Sequence, residues 1–437
     1  PKYKPSGVEW LGDVPEHWSK FRISDLARYG KKTFIDGDWI ESPYITDDGV
    51  RLLQTGNVGI GKYKEQGYRY ISEETFKELD CTEINPGDVL ICRLADPVGR
   101  ACIAPKLNER MITSVDVAIL KLRPQHLNKY IVYALSSDQY LNYLAMLCRG
   151  GTRDRVSRSM LGQIRISLPP LPEQQAIAAF LDRETGRIDA LIAKKERLLE
   201  LLAEQRTALI SRAVTKGLDA SVKLKPSGVE WLGDVPEHWE ALPLRRIVEK
   251  VKTGGTPTGA EDSAFDDEGF NWYSPGDFSD DIRLGKSSRS LSDEGKQEVR
   301  IFPPKTVMLV GIGATIGKVG LAINESSCNQ QINGIICSRL LNPEFATYYM
   351  KTLKEYIIKC GKYTTLPIIN QDETKNLIFT LPPLPEQKAI AAFLDRETAK
   401  IDALSAKVST VIERLKEYRT ALISSAVTGK IDVREAV

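Results

Sequence analysis

SLPPLPEQQAIAAFLDRETGRIDAL (Ser167–Leu191) returns as TLPPLPEQKAIAAFLDRETAKIDAL (Thr380–Leu404), with four of the twenty-five positions changed. Both copies read as the start of a long helix. Pro172 and Pro385 stand where a first helical turn tolerates proline, and the Glu-Gln that follows suits the positive end of the helix dipole. Apolar residues then recur at helical spacing. The first copy has Ile177, Phe180, Leu181, Ile188, Leu191, Leu198, Leu202 and Leu209; the second has Ile390, Phe393, Leu394, Ile401, Leu404, Val408, Val411, Leu415, Tyr418 and Leu422. Neither run holds an interior proline, and Gly217 and Gly429 stand where a left-handed cap would end it. Forty or so residues at 1.5 Å each give a rod of about 60 Å. That is too long and too narrowly striped for a helix lying on one compact domain, so a coiled-coil pair is expected.

Working outward, RTALISRAVTKGLD (Arg206–Asp219) recurs as RTALISSAVTGKID (Arg419–Asp432), again 213 residues on. KPSGVEWLGDVPEHW (Lys4–Trp18) recurs unchanged at Lys225–Trp239, at an offset of 221. The chain is therefore a tandem duplication. Residues 1–166 form a first domain with its strap, 167–217 a first spacer helix, 218–379 a second domain with its strap, and 380–437 a second spacer helix and tail.

The blocks between the repeats have drifted but keep one order of elements. RLLQTGNV, GDVLICRL, RACIAP and VAILKLRP read as strands in the first, and TVMLVGIG, KVGLAI and NGIICSRL in the second. Leu127–Leu147 and Ala346–Lys359 each read as helix. PGDVLICRLADPVGRACIA lies over PKTVMLVGIGATIGKVGLA, with Gly99 over Gly317. The fold class is thus mixed α/β, two globular domains carried on long helices.

Composition narrows the function. The 437 residues, 42% hydrophobic and 27% charged, are those of a globular protein with real cores. No run of eighteen apolar residues exists, which argues against a membrane partner. The first residues carry no apolar signal region, and without an initiator Met a start inside a longer or processed chain is expected. Seven cysteines with no C-x-x-C pair, and only three histidines, argue against a zinc site. Reduced, buried thiols and a cytoplasmic location are expected. The net charge of +2 leaves charge distribution as the informative quantity.

Catalytic motifs are missing. GIGATIGK (Gly311–Lys318) has Ile312 and Val319 where a phosphate loop needs Gly and Ser or Thr. Its glycines read instead as a tight strand connection. The Pro-Pro pairs are flanked by Leu or by Phe and Lys, not in the Asp/Asn-Pro-Pro-aromatic order of an adenine methyltransferase. No catalytic, metal-binding or cofactor-binding residue is assigned.

Binding is better supported. Arg149, Arg153, Arg155, Arg158 and Arg165 surround a Gly-Gly-Thr turn ending at Thr152, with Asp154 the one acid among them. Such a loop can grip phosphates and spare a guanidinium for guanine O6 and N7. The equivalent stretch in the second block, KCGKYTTLPIINQDE, offers Lys362, Tyr363, Thr364 and amides suited to base edges. Lys252, Thr253 and Thr256 in VKTGGTPTG, with Lys286 and Arg289, form a candidate second face. In the first block Arg51, Gln54 and Lys62, beside Lys31, Lys32 and Lys64, occupy the comparable region.

Helices opening LPPLPEQ…IAAFLDRET…IDAL, straps reading PSGVEWLGDVPEHW and two divergent domains, in the same order twice, resemble a type I restriction–modification specificity subunit over essentially the whole chain. The resemblance implies two target-recognition domains, each reading one half of a split site in double-stranded DNA. The helices would pack antiparallel as a spacer, giving a pseudo-twofold molecule. Two modification (methyltransferase) subunits using S-adenosylmethionine would dock on it, with a restriction/translocase subunit joining for cleavage. A stand-alone methyltransferase or nuclease with unrecognised motifs, or a coiled-coil scaffold for proteins, remain the alternatives.

In each strap, Pro and Gly set the shape while Trp10, Leu11, Val14 and Trp18 (Trp231, Leu232, Val235 and Trp239) supply apolar anchors. Glu9, Asp13 and His17, with Glu230, Asp234 and His238, tempt towards a catalytic site. The strap's place beside each domain argues for docking the domain to the helices instead. Two readers on successive major grooves need about 34 Å between them, within a ~60 Å rod. Inserting one heptad into a spacer helix should lengthen the unread gap and leave both half-sites unchanged; methylome sequencing that finds altered half-sites would defeat this reading.

Overall fold

The strand Val89–Cys92 is buried throughout, and its side chains alternate between two cores. Val89 and Ile91 join the core shared with the helices, while Leu90 and Cys92 join a second on the opposite face. The period of two that defines a strand thus divides one apolar run between two layers. In the second half Thr306–Val310 does the same, with Val307 and Leu309 on one side and Met308 and Val310 on the other.

The computed structural model describes residues 2–94, 97–148, 154–258, 261–360, 362–363 and 367–433. The chain divides into two units. One comprises Pro1–Glu196 with Thr410–Val437, the other Arg197–Ser409.

In the first unit a four-stranded sheet runs Phe34–Asp36, Val117–Leu120, Val89–Cys92, Ala101–Ile103, all neighbours antiparallel. A three-stranded sheet, Tyr70–Ile71, Val50–Leu53 and Met111–Thr113, accompanies it. The second unit has the longer sheet Val248–Thr253, Ile332–Cys337, Thr306–Val310, Val319–Ala322, Arg283–Leu284. Its three-stranded companion runs Arg289–Leu291, Phe265–Tyr273, Ser327–Cys328. Gly99 and Gly317 both take positive φ between equivalent hairpin strands, as a tight connection requires.

The helices expected over Leu127–Leu147 and Ala346–Lys359 are each broken in two. Asn128–Ala134 gives way to Asp138–Leu147, and Pro343–Thr352 to Lys354–Cys360. At the first break Ser136 and Ser137 turn their hydroxyls onto the carbonyls of Val132 and Ala134, and Thr352 does so onto Tyr349. Hydroxyls that bond the preceding turn compete with the helix ladder, and apolar periodicity alone does not register that.

Both long helices are present, Leu171–Lys216 and Leu384–Val427, and Gly217 and Gly429 follow them at positive φ. In the first unit Ile177 and Leu181 share a core with Ile423, Ala426 and Val427, while Asp189 meets Arg419 at 2.8 Å. The segments therefore run antiparallel there. In the second unit Ile210, Ala213 and Val214 pack with Ile390, Ala391 and Leu394, and Arg206 meets Asp402 at 2.9 Å. The same repeat positions make the same ion pair in each unit.

The Glu-Gln pair in the first turn is used fully. Glu173 accepts the Trp18 indole N–H at 3.2 Å and lies 2.6 Å from His17 Nε2. Glu386 holds Trp239 at 3.1 Å and His238 at 2.9 Å. Buried Gln174 accepts from the Leu127 N–H and donates to the Pro169 carbonyl, as Gln387 does with Asn342 and Pro382. Each strap is an antiparallel pair, Tyr3–Val8 with Leu11–Pro15 and Leu224–Pro226 with Asp234–Pro236. Val14, Trp18, Val235 and Trp239 are fully buried, whereas Trp231 is partly exposed and rests on Tyr356. The strap histidines meet Glu173 and Glu386, and Glu9 accepts the Tyr143 hydroxyl.

Among the described residues six cysteines are free, and burial pushes the Cys102 and Cys337 thiols up to about 12. No described group of His, Cys, Asp and Glu could hold a metal ion, and no described helix is long and apolar enough to cross a membrane.

One half-buried lysine stands where the second domain meets the helix pair. Lys351 donates to the carbonyls of Asp280 and Asp281 beside Arg206 and Asp402. Burial, then the Arg206 guanidinium, push its amine down to about 8 from 10.5. Between those values the unfolded chain binds a proton that the folded chain has released, so stability rises with pH across that window. Lys351→Met should remove this rise. Melting temperatures of wild type and variant compared from pH 7.5 to 10 should diverge in favour of wild type as pH increases, and a constant difference would contradict the assignment.

Candidate nucleic-acid interface

Behind the candidate reading surface, the two domains share a set of main-chain bonds. Arg93 N–H donates to the Asp116 carbonyl and Gly311 N–H to that of Gln331. Val156 N–H donates to Arg93 O, and Ile369 N–H to Gly311 O. Leu94 bridges Arg155, and Ile312 bridges Ile368. Gly37 and Gly254 mark the closest approach. A Cβ at either would fall 2.4 or 2.1 Å from a carbonyl oxygen, Ser114 O in one domain and Cys328 O in the other.

Arg100 and Lys318 hold the turn beside this backbone. Arg100 Nε donates to Val58 O at 2.7 Å, and Lys318 Nζ to Phe278 O at 3.1 Å. The lysine of the phosphate-loop look-alike is thereby committed to the protein's own backbone.

A cleft of about 530 Å³ opens here in the first domain, lined by Gln54, Thr55, Asn57, Gln66, Ser114 and Asp116 among others. In the second, a cleft of about 340 Å³ is lined by Thr253, Gln330, Gln331, Asn333, Asn370, Gln371 and Asp372 with Gly311, Ile312, Ile368 and Ile369. The surrounding chemistry differs in kind. Asp116 pairs with Arg155 at 2.8 Å, and Asp36 meets Arg93 at 3.0 Å and Arg158 at 3.6 Å. The second domain has amides and hydroxyls in these places. Thr253 Oγ1 donates to Asn333 at 2.9 Å and Thr256 Oγ1 to Gln330. The Gln371 amide fits with its nitrogen donating to Val251 O and its oxygen accepting from Thr253.

The expected binding residues divide accordingly. Gln54 and Thr253 line the clefts, and Arg155, Arg158 and Thr256 stand beside them in the contacts above. Lys62 is exposed on the loop that carries Gln66 and Gly67 to the first cleft, and Lys252 is exposed on the strand before Thr253. Lys362 and Tyr363 form a short strand against Pro367–Ile368, with Lys362 opposite Ile368. Arg149, Thr152, Arg153 and Thr364 lie outside the described residues.

Arg51 is a correction. It is 1% exposed, with its guanidinium 4.5 Å from the Tyr68 ring and 5.2 Å from Tyr70, and it donates to Gln66 O at 3.2 Å. Its charge is spent inside the domain. Lys286 and Arg289 line a separate depression with Asp266 and Asp267, where the Arg289 guanidinium covers the Phe265 ring at 3.7 Å. Lys32 meets Asp80 at 2.8 Å on the surface. Sequence reading missed Asp36, Arg93, Asp116, Gln330 and Gln331. The alignment of the two blocks already sets Arg93 over Gly311, a cation over no side chain at all.

The family model for the type I restriction modification DNA specificity domain matches residues 15–201 and again 236–414. The chain is 21% identical over 439 residues to the StySPI specificity subunit of Salmonella potsdam, covering 96% of this chain and 90% of the relative. It is 27% identical to the MjaIX specificity subunit of Methanocaldococcus jannaschii, covering 97% and 96%. Among solved structures, a chain from a study of type I R-M complex assembly and conformational transition aligns with a TM-score of 0.73 at 16% identity, covering 96% of this chain and 99% of that one. The HsdS subunit of Thermoanaerobacter tengcongensis aligns at 0.53, also with 16% identity, covering 96% and 98%. With both copies of its α/β domain matched, the chain belongs to the type I restriction–modification DNA specificity family.

Proposed function

We propose that this chain is the DNA-reading, non-catalytic specificity subunit of a type I restriction–modification complex. One observation carries the reading: two domains share a backbone cleft, bond for bond, and line it with different chemistry. Two copies of an enzyme active site would keep their reacting groups, whereas two readers of different half-sites must change theirs. The long helices set the gap between the half-sites.

The helix surface supports two copies of one methylating partner. Arg183 lies over Phe180 at 5.6 Å and meets Glu184 at 3.0 Å; Arg396 lies over Phe393 at 5.5 Å and meets Glu397 at 2.9 Å. An identical patch presented twice suits two identical partners. Methyl transfer from S-adenosylmethionine to adenine belongs to those modification subunits, and a restriction/translocase subunit completes the complex. This chain binds no cofactor of its own and acts in the cytoplasm.

Mixed with S-adenosylmethionine and duplex DNA, the purified chain should transfer no methyl group. Adding the modification subunit should give methylation confined to one split site. Methyl transfer by the chain alone would overturn the assignment. Two substitutions separate surface from interior. Lys62→Ala should lower the salt dependence of DNA binding by about one counterion without altering the site. Arg51→Met should leave that slope intact and destabilise the fold by roughly 1–3 kcal/mol. Binding titrations across salt, with melting curves for both, read the two effects.

A further inference from the structure

The matched backbone allows the two clefts to be compared position by position. Asp116 and Gln331 occupy one place, fixed by the bond each carbonyl accepts from the residue at 93 or 311. Arg155 and Ile368 occupy another, fixed by their bridges to Leu94 and Ile312. At both places the first domain is ionic and the second is not.

The remaining hydrogen-bonding capacity of these groups differs in pattern. Arg155 commits one terminal nitrogen to Asp116, and its side chain is 52% exposed. A guanidinium so anchored keeps further N–H groups in a planar fork, and the Asp116 carboxylate keeps lone pairs. Together they offer donors matched to guanine O6 and N7 and an acceptor for cytosine N4. Gln331 Oε1 accepts from Asn329 at 3.1 Å, and Gln330 Oε1 accepts from Thr256. Each of these amides is held by its oxygen and still carries an NH₂ donor and a second oxygen lone pair, the complement of adenine N7 and N6. Lys62 is exposed on the loop that carries Gln66 to the first cleft. That suits a duplex whose phosphates flank the base being read.

We propose that the Asp116–Arg155 pair in the first domain, and Gln331 with Gln330 in the second, are specificity-determining groups. The first half-site then carries a G·C pair at the place where the second carries an A·T pair. This rests on the DNA-reading function proposed above and adds which residues read and which base pair each demands.

The test transplants the second domain's residues into the first. The full chain carrying Asp116→Gln with Arg155→Ile is expressed with its modification subunit, and the methylated motif is determined by genome-wide methylation sequencing. Wild type should yield a bipartite motif with a G·C pair in the first half-site that the variant no longer demands. Discrimination at that base pair should fall about ten- to hundred-fold. The gap and the second half-site should be unchanged, which also shows that the variant folds and assembles. A variant with the wild-type first half-site overturns the inference while leaving the DNA-reading function standing. If wild type yields no bipartite motif, the function itself fails. Should the double variant not accumulate as folded protein, Arg155→Lys decides: it keeps the ion pair with Asp116 and removes the fork. Relaxed preference at the same base pair then supports the proposal, and an unchanged motif overturns it.

Discussion

Everything in each unit hangs on the first turn of a long helix, where one Glu-Gln pair fastens three separate stretches of chain. Glu173 takes the indole of buried Trp18 and the imidazole of His17, both from the strap. Gln174, with no exposure to spare, joins the Leu127 N–H before the next helix to the Pro169 carbonyl behind it. Glu386 and Gln387 repeat every one of these contacts. A carboxylate at a helix N-terminus is favoured by the dipole as well as by its two donors. The glutamine is a buried polar group whose loss would leave partners on both sides unmade. A second ring of contacts stiffens the joint. Tyr133 donates to Asp182 at 2.9 Å and Tyr348 to Asp395 at 2.8 Å. The orientation of each domain on its helix is thus set by buried, directional bonds rather than by apolar contact alone.

That constraint explains why the straps and helix starts are nearly letter-identical while the domains they hold are not. A residue that meets several partners at once admits few substitutes. The strand cores are less demanding, because an apolar layer tolerates exchange when volume and pattern are kept. Val89, Leu90, Ile91 and Cys92 became Val307, Met308, Leu309 and Val310 without disturbing the division between two cores. Even the exchange of Arg100 for Lys318 keeps its task, donating a charged N–H to the same carbonyl of the neighbouring turn.

What the sequence made legible follows from how far each signal extends along the chain. The long helices, the duplication and the strands rest on patterns within single stretches, and they stand where expected. The helix breaks at Ser136–Ser137 and Thr352 depend on hydroxyls reaching back one turn, which hydrophobic spacing does not weigh. The cleft was the least visible part. Asp36, Arg93, Asp116 and Arg155 are scattered over 120 residues and meet only because sheet order sets Phe34–Asp36, Val117–Leu120 and Val89–Cys92 side by side. Arg51 misled for the opposite reason. An arginine in a strand reads as a surface charge, whereas Tyr68 and Tyr70 roof this one over and Gln66 O accepts its N–H.

The division between a fixed joint and a variable cleft has a mechanical consequence. Cleft side chains project from backbone that is already fully bonded to itself through 93, 116 and 156 in one domain and 311, 331 and 369 in the other. An ionic set and an amide set can therefore stand on the same backbone, since neither is needed to hold it. Arg93 is the instructive case. In the first domain it bonds the carbonyls of Val115 and Val156 and meets Asp36, yet the second domain keeps the same fold with glycine there. The missing guanidinium is matched by an altered surround, in which Thr253 stands for Asp36 and Asn333 bonds the Ile369 carbonyl from a neighbouring strand. Aspartate and arginine at the cleft are expected to change together, because a lone aspartate left without its arginine would be an uncompensated, half-buried charge.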